Sequence, residues 1–437
     1  MNSYRTSTWG DEISLEYGKS LKGYQNSNGT YQVFGSNGPI GWTDKPLCKG
    51  PGIILGRKGA YRGVKFSEQD FYVIDTAYYV VPKTDIDLNW LYYAIKYHKL
   101  GEIDDGSPIP STTRAAVYVR EFDIPSKEVQ VKMGNILKKI DLKIELNNQI
   151  NETLESIAQA LFKSWFIDFD PVRAKIVAKL EGADPEIAAM CVISGKSEAE
   201  LKKMPEDDFA ELQATAVLFP DELVESELGE VPRGWEVTRF NKIILQYIDN
   251  RGKTPPTQID GIPLLEVKHL PEGSLNPDLN TEKRVSLETF NNWFRAHLQE
   301  DDLIISTVGT IGRLCIIPAD KKLTIAQNIL GLRFKKDEVN PLFMYYQMDS
   351  CKFRNDVNAR LVITVQASIK RKDLETIDLL KPDINIQNVF AEKIKPFVLS
   401  QQSDESLKLI DIRDTLLPKL LSGEVSVEDI KQQQDLA

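Results

Sequence analysis

A long amphipathic stretch between residues 126 and 165 constrains this fold more than any other feature. From Ile136 to Leu161 its apolar residues advance in seven steps over 25 residues, a spacing of about 3.6 that predicts one apolar helix face. Pro125 and Ser126 favour a helix start there. Glu155 and the other charged residues are expected on the solvated faces. The predicted inward positions are Ile140, Ile144, Asn147, Ile150, Leu154, Ile157 and Leu161.

A helix of this length would extend roughly 60 Å, which is more than a small domain needs for its own core. We therefore expect a second helix to pack against it, although an ordinary core helix is the alternative. Asn147 occupies the one polar inward position. If it is buried it would fix the register of the pair, since a buried polar group needs a matched partner; otherwise it faces solvent at the seam.

Much of the chain repeats with an offset of 250 to 255 residues. The segment EDDLIISTVGTIGRLCII (300–317) matches GPGIILGRKGAYRGV, which aligns Gly309 with Gly59 at an offset of 250. Leu161 and Leu416, in the two helical stretches, are 255 residues apart. Chance similarity of short apolar runs is the alternative. A sustained offset predicts two halves, each a domain followed by a long helix.

The fold class predicted from this repeat is α+β, with two mixed β-rich domains and two long helices packed as an antiparallel coiled coil. The predicted segments are a first domain at 1–125, a first long helix at 126–165, an acidic linker at 166–230, a second domain at 231–382, a second long helix at 383–422 and a tail at 423–437.

Composition excludes several classes of protein. With 42% apolar and 27% charged residues, the chain resembles ordinary soluble globular proteins. It contains no run of 18 apolar residues and no apolar signal core, so we expect a cytoplasmic protein without a membrane partner. The four cysteines form no CxxC pair, which argues against a zinc site or a disulfide framework.

The net charge of −10 argues at first against a nucleic-acid partner, but its distribution reverses that inference. Residues 166–230 hold 16 acidic and 6 basic residues, a charge of −10 on their own. Residues 1–125 balance at 14 against 14, and residues 231–380 hold 21 basic against 19 acidic residues. Either β-rich domain is therefore able to carry a local basic face.

Several segments, in the same order, resemble the DNA-specificity subunit of type I restriction–modification enzymes. They are LNNQINETLESIAQALFKSWFIDFDPVRAK (146–175), SELGEVPRGW (226–235), STVGTIGR (306–313), QNILGL (327–332), QASIKRKDLE (366–375) and RDTLLPKLLSGE (413–424). The resemblance covers nearly the whole chain except the acidic insert around 180–220. There are three departures from the family pattern. The first copy starts abruptly at Trp9, Pro396 is expected to interrupt the second helix, and the acidic linker is long.

The resemblance implies two target-recognition domains, each recognising half of a split site in double-stranded DNA. The two helices, related by an internal pseudo-two-fold repeat, would set the distance between the halves. Partners would be two methyltransferase subunits and two restriction subunits, which would carry S-adenosylmethionine, ATP and Mg²⁺; no cofactor is expected in this chain. Alternatives are a solitary coiled-coil scaffold, or a specificity module of another DNA-modification or phage-defence system.

Contacts to DNA are expected from polar and basic loops at equivalent places in the two domains. Glycines let the backbone approach phosphate closely, and arginine side chains bind guanine or phosphate. For each residue taken alone, the alternative is a solvated surface charge. The candidates are Arg57, Lys58, Arg62, Ser111, Thr112 and Arg114 in the first domain, and Arg251, Lys253, Thr307, Thr310, Arg313, Thr364, Gln366, Ser368, Lys370 and Arg371 in the second.

Catalytic signals are weak. Asp260, Glu266 and Lys268 resemble the D…ExK pattern of Mg²⁺-dependent nucleases. However, IPLLEVKHL is more simply a strand that enters the second domain, and the first copy has no equivalent. The chain has no GxGxxG or GxxxxGK[ST] loop and no adenine-methylation motif. We therefore expect a non-catalytic subunit with no metal site.

Overall fold

The computed structural model describes residues 4–26, 28–104, 106, 109–250, 252–363, 366–401 and 405–425. Internal contacts divide the chain into two compact units. The first comprises residues 1–148 and 404–437, and the second comprises residues 149–403. Each unit contains one β-rich domain together with helices that pack on it.

The β-rich domain of the first unit combines short strands with three helices. Its elements are β1 (Arg5–Thr8), α1 (Trp9–Glu12), β2 (Ile13–Tyr17), β3 (Tyr31–Gly35), β4 (Gly38–Thr43), β5 (Gly52–Gly56), β6 (Val64–Ser67), β7 (Phe71–Val73), β8 (Ala77–Pro82), α2 (Leu88–Tyr97), α3 (Arg114–Tyr118) and β9 (Glu121–Ile124). The larger sheet has the order β2-β8-β5-β6, a smaller one has β4-β3-β7, and β1 pairs with β9.

Strand β5 is buried along its whole length because both of its faces are apolar. Ile53 and Leu55 pack with Trp90 of α2, whereas Ile54 packs with Phe71 in a second cluster. This division follows from the alternation of side chains along a strand. The buried strand therefore anchors the glycine-rich loop that follows it.

The long helix is present as α4 (Lys127–Phe166), 40 residues in length. The acidic segment after it forms helices α5 (Asp170–Glu181), α6 (Pro185–Ser194), α7 (Glu198–Leu201) and α8 (Glu206–Val217), then a hairpin of β10 (Leu223–Ser226) and β11 (Gly229–Pro232). These helices bury a small apolar cluster of their own, which includes Met190, Leu201 and Leu212.

The remaining elements form the second β-rich domain and the last two helices. They are β12 (Glu236–Arg239), α9 (Phe240–Ile243), β13 (Ile244–Ile248), β14 (Ile262–Leu265), β15 (Arg284–Val285), α10 (Leu287–Trp293), β16 (Leu303–Ser306), β17 (Leu314–Ile316), β18 (Thr324–Ile325), β19 (Ile329–Phe334), α11 (Pro341–Asp349), α12 (Cys351–Asn358), β20 (Val362–Ile363), β21 (Ala367–Ser368), α13 (Arg371–Leu374), β22 (Asp378–Lys381), α14 (Ile384–Gln401) and α15 (Glu405–Leu421).

The second domain repeats the topology of the first. Its larger sheet, β13-β19-β16-β17, corresponds strand for strand to β2-β8-β5-β6, and β12 pairs with β22 as β1 pairs with β9. The smaller sheets also correspond, since β14 pairs in parallel with β18 as β3 does with β7. The predicted internal repeat and the α+β fold class are confirmed.

The second helical stretch is described as two helices, α14 and α15, and residues 402–404 between them lie outside the described residues. Helix α14 continues past Pro396, so the expected interruption at this residue was wrong. The neighbouring residues Ile394 and Val398 are buried in the core of the second unit, and this packing holds the helix together across the proline.

Within the first unit, α4 and α15 pack in opposite directions. Arg413 donates to Asp141 at 2.9 Å, while Asn147 further along α4 donates to Glu405 at the start of α15, at 3.0 Å. Asn147 therefore does have a partner on the other helix, but it is half-buried rather than enclosed. In the second unit, Phe162 of α4 packs on the ring of Phe390 in α14.

The predicted apolar stripe of α4 is correct only in part. Ile144 is buried and Ile140, Leu154 and Leu161 are half-buried, but Ile150 and Ile157 are 41% and 47% exposed. From Ile140 to Leu161 the predicted positions advance by 3.5 residues on average, so the stripe drifts around a straight helix by about 20° per heptad.

Glu155, which was expected to face solvent, instead occupies an inward position of α4. It is 7% exposed and accepts a hydrogen bond from the Tyr346 hydroxyl at 3.1 Å. Burial and this carboxylate raise the pKa of Tyr346 well above its ordinary value. Glu155 can be buried because the Tyr346 hydroxyl donates a hydrogen bond to its carboxylate.

Candidate nucleic-acid interface

The first glycine loop, residues 56–63, connects β5 to β6 in the first domain. It closes on itself through a hydrogen bond from the Gly56 amide to the Gly63 carbonyl at 2.8 Å. The polar segment 111–114 lies against it, because the Thr112 amide donates to the Arg57 carbonyl at 2.9 Å. The Gly59 amide donates to a carbonyl just before this segment, at 3.0 Å. Two candidate groups that are distant in sequence are therefore neighbours.

The second glycine loop, residues 306–313, connects β16 to β17 and has the same contacts. The Ile369 amide donates to the Thr307 carbonyl at 2.9 Å, and the Gly309 amide donates to the Ala367 carbonyl at 3.1 Å. Residues 366–371 thus lie beside this loop as 111–114 lie beside the first. In each domain the glycine loop and the polar segment beside it, with the candidates described there, form one group.

In each group a candidate arginine stacks on a tyrosine. The sequence analysis identified the arginines but missed the tyrosines. The Arg114 guanidinium lies 4.2 Å from the ring centre of Tyr17, where Arg57 also contacts the ring at 4.8 Å. In the second domain Arg371 lies 4.0 Å from the ring of Tyr247. A tyrosine near the end of the equivalent strands ISLEY and ILQYI was the available signal.

These arginines are held in place by more than stacking. The Arg114 Nε donates to the Leu15 carbonyl at 2.6 Å, and Arg371 Nε donates to Glu375 at 2.8 Å. Burial raises the pKa of Tyr247 to about 12, so its hydroxyl remains protonated at neutral pH. Each domain therefore presents a positioned guanidinium on an aromatic face, an arrangement suited to binding bases or phosphates.

Two candidates have structural roles that leave little for direct contact with DNA. Thr112 is fully buried and its hydroxyl donates to the Ile103 carbonyl at 3.1 Å. Arg62 is half-buried and donates to backbone carbonyl oxygens of the loop and of residues 101 and 103. Both side chains help to hold the first glycine loop, and their contact with DNA stays a prediction.

The other candidates remain predictions, and the structure describes where most of them lie. Arg313 is half-buried and pairs with Glu272 at 3.1 Å, while the Thr307 hydroxyl donates to the Asn328 carbonyl at 3.2 Å. The exposed candidates are Lys58, Lys253, Thr310, Gln366, Lys370 and Arg371; Arg57, Ser111, Arg114 and Ser368 are half-exposed. Arg251 and Thr364 lie outside the described residues.

The structure describes the residues of the D…ExK pattern. Glu266 accepts from Lys283 at 2.6 Å and caps the short helical turn 267–269, while Asp260 is exposed in the loop before β14. Among the described residues, no group of three or more His, Cys, Asp or Glu side chains is arranged to hold a metal ion. Part of this segment forms strand β14, in which Leu264 and Leu265 are buried, as the strand interpretation predicts.

Comparison with known proteins gives a consistent result. A family model described as the type I restriction modification DNA specificity domain matches residues 8–156 and 232–409. The specificity subunit of the type I restriction enzyme HindI of Haemophilus influenzae is 31% identical over 395 residues, which covers 82% of each chain. The MjaIX specificity subunit of Methanocaldococcus jannaschii is 25% identical over 368 residues, 80% of this chain and 72% of that one.

Among solved structures, the S subunit of a type I restriction–modification system from M. genitalium matches with a TM-score of 0.56. It shares 15% sequence identity and covers 96% of both chains, a likeness of fold alone. The acidic insert lies between the two regions that the family model matches. In the part of the chain that the structure describes, no helix is long and apolar enough to cross a membrane.

Proposed function

Because the chain belongs to the family of type I restriction–modification DNA specificity subunits, we propose that it recognises a bipartite, asymmetric site in double-stranded DNA and recruits methyltransferase and restriction subunits to it. Each β-rich domain recognises one half of the site. The recognised bases are contacted from the two glycine loops and the polar segments beside them.

The observation that carries this proposal is the matched backbone of the two loops. Equivalent hydrogen bonds join loop and polar segment in both domains, yet the side chains presented on them differ. The first loop carries Arg57 and Lys58 where the second carries Thr307 and Val308. One backbone arrangement with two sets of side chains supports recognition of two different half-sites.

The long helices supply a surface for the protein partners. In the first unit, Leu142 and Leu146 of α4 and Leu407 of α15 are exposed apolar residues; in the second unit, Ile150 and Ile157 of α4 are exposed. Exposed apolar residues that cluster on a helix are typical of protein–protein contact surfaces. We assign these residues to the methyltransferase contacts, one subunit for each unit, which accords with two methyltransferase subunits per complex.

The chain itself is proposed to be non-catalytic. Methyl transfer and ATP-driven restriction belong, in this proposal, to the partner subunits that bind S-adenosylmethionine, ATP and Mg²⁺. Equilibrium binding of labelled S-adenosylmethionine by the purified chain tests this point directly. Stoichiometric binding by the chain alone would contradict it.

The decisive experiment is methylome sequencing of cells that carry the gene and of cells from which it has been deleted. We expect one bipartite methylated adenine motif to disappear on deletion and to return on complementation. An unchanged methylome, in cells whose methyltransferase gene is intact and expressed, would overturn the proposal. A scaffold without DNA affinity would in addition show no salt-dependent binding to DNA when the methyltransferase is supplied.

A further inference from the structure

A recess of about 390 Å³ lies in the second domain beside the candidate interface. Its lining includes Asn250, Thr254, Glu266, Lys268, Gln327 and Asn328. It adjoins the second glycine loop, because the Thr307 amide and hydroxyl both donate to the Asn328 carbonyl, at 2.8 and 3.2 Å. The recess is therefore continuous with the surface that presents the loop.

Asn250 is the unusual member of this lining. Its side chain is only 1% exposed, and its Oδ1 accepts a hydrogen bond from the Gly252 amide at 3.2 Å. Its Nδ2 group is buried and has no hydrogen-bond partner among the described residues. Buried donors of this kind are nearly always satisfied in native proteins, so an orphaned one at the wall of a recess indicates a ligand with an acceptor atom.

The charges at the rim indicate what kind of acceptor fits. Lys268 donates to Glu282 at 2.6 Å, and Lys283 donates to Glu266 at 2.6 Å. The two lysines and two glutamates cancel one another, so the recess offers hydrogen bonds without an excess of positive charge. A neutral acceptor suits it better than a free anion, whose charge would need an unpaired cation.

We infer that this recess binds a hydrogen-bond acceptor of the DNA in the second half-site, with Asn250 as the donor that determines specificity there. The inference rests on the proposed function. Guanine N7 and O6, adenine N7 and thymine O4 are the neutral acceptors that DNA offers in the major groove. A phosphate oxygen of the backbone is the other acceptor that DNA offers. It is anionic, so the paired charges at the rim disfavour it, and the test below separates the two.

The test replaces Asn250 in the full complex with the methyltransferase subunits. Asn250→Asp keeps the Oδ1 acceptor for the Gly252 amide but replaces the Nδ2 donor with a charged oxygen. Asn250→Ser removes the donor without adding a charge. Asn241→Asp, at an exposed position of α9 in the same domain, is the matched control. The probes are duplexes with the motif defined by methylome sequencing and single-base variants of each half.

If Asn250 contacts a base, both variants lose on the order of tenfold discrimination at one base pair of the second half-site, and the first half-site is unaffected. If it contacts a phosphate, Asn250→Ser weakens binding to every duplex alike and leaves discrimination between duplexes unchanged. The first result supports the inference, whereas the second would overturn it by assigning Asn250 to an anionic acceptor. Thermal unfolding of each variant confirms that the domain is folded.

The inference is overturned if folded Asn250→Ser and Asn250→Asp complexes match wild type and the Asn241→Asp control in affinity, discrimination and salt dependence. That outcome would leave the proposed function intact, because the wild-type complex would still methylate its bipartite motif. Failure of the proposed function appears separately, as the absence of any motif that depends on the wild-type gene.

Discussion

The two glycine loops share a backbone arrangement but are stabilised by different side chains. In the first domain Arg62 donates to three backbone carbonyl oxygens, those of Gly59, Gly101 and Ile103. In the second domain Ser306 holds the loop, since its Oγ donates to the Thr310 carbonyl at 2.6 Å and accepts from the Arg313 amide at 2.9 Å. The arrangement therefore does not depend on one set of side chains, which leaves the presented residues free to differ.

The position equivalent to Ser306 in the first domain is Gly56. A Cβ atom at Gly56 would lie 2.1 Å from the Ser36 carbonyl oxygen, so no side chain fits there without backbone movement. The first loop therefore cannot be held by a serine side chain at this position. An arginine from the far end of the loop replaces it, and this arginine is consequently less available for DNA.

The largest effect is expected when the serine of the second loop is placed in the first. Gly56→Ser should destabilise the first unit by about 3 kcal/mol, because the clash is with backbone rather than with a flexible side chain. Methylation of the motif should be lost with it. Chemical denaturation of the chain and methylation assays measure the two effects. A variant of wild-type stability would show that the two loops are interchangeable at this position.

The next effect concerns the two half-sites. Arg57→Ala with Lys58→Ala should relax recognition of one half-site, and Thr364→Ala with Gln366→Ala should relax the other. Loss of one base contact lowers discrimination by about 1–3 kcal/mol. Methylation of duplex libraries with each half randomised measures it. Relaxed preference in both halves from either pair alone would contradict separate recognition by the two domains.

Removal of the two loop-holding side chains should have smaller effects. Arg62→Ala should cost about 1.5 kcal/mol, and Ser306→Ala about 1 kcal/mol, because the first removes charge-assisted hydrogen bonds and the second removes neutral ones. Each should impair only the half-site of its own domain. Denaturation midpoints and half-site selectivity of the two variants provide the comparison, with equal impairment of both halves as the contrary result.

The smallest expected effect is a difference between the two domains in the pH dependence of their stability. Arg5 lies against Glu12 of α1, and its hydrogen bond is the main reason that the pKa of Glu12 is lowered to about 2. The corresponding residue of α9 is the apolar Ile243. Since the folded pKa is below the ordinary value, this stabilisation is complete above about pH 4.5 and is lost as pH falls towards 2.

Hydrogen exchange of β1 and β9 should therefore accelerate on acidification before that of β12 and β22. Glu12→Gln should abolish the difference in pH dependence, because it removes the titrating group. Equal acid sensitivity of the two strand pairs in the wild-type chain would show that the Arg5–Glu12 pair does not govern this region.

Much of the fold was predictable because its signals are local. The helical spacing located α4, and the sustained offset predicted the two repeated domains. The two glycine loops were also recognised in the sequence, and their contact with DNA stays a prediction. The tyrosines that position Arg114 and Arg371 were missed. The arginine and the tyrosine of each stacked pair are about one hundred positions apart in the sequence, so no local pattern predicts their contact.

The sequence by itself determined the repeat, the fold class, the family and the loops that carry the candidate residues. These depend on periodicity and motif order, which are visible in the order of residues along the chain. Only the tertiary structure decided which side chains in those loops are already used. Arg62 is bound by carbonyls 39 and 41 residues away, and Glu155 faces inward because of Tyr346, 191 residues away. Burial and hydrogen-bond satisfaction depend on neighbours in space, and these neighbours exist only once the chain has folded.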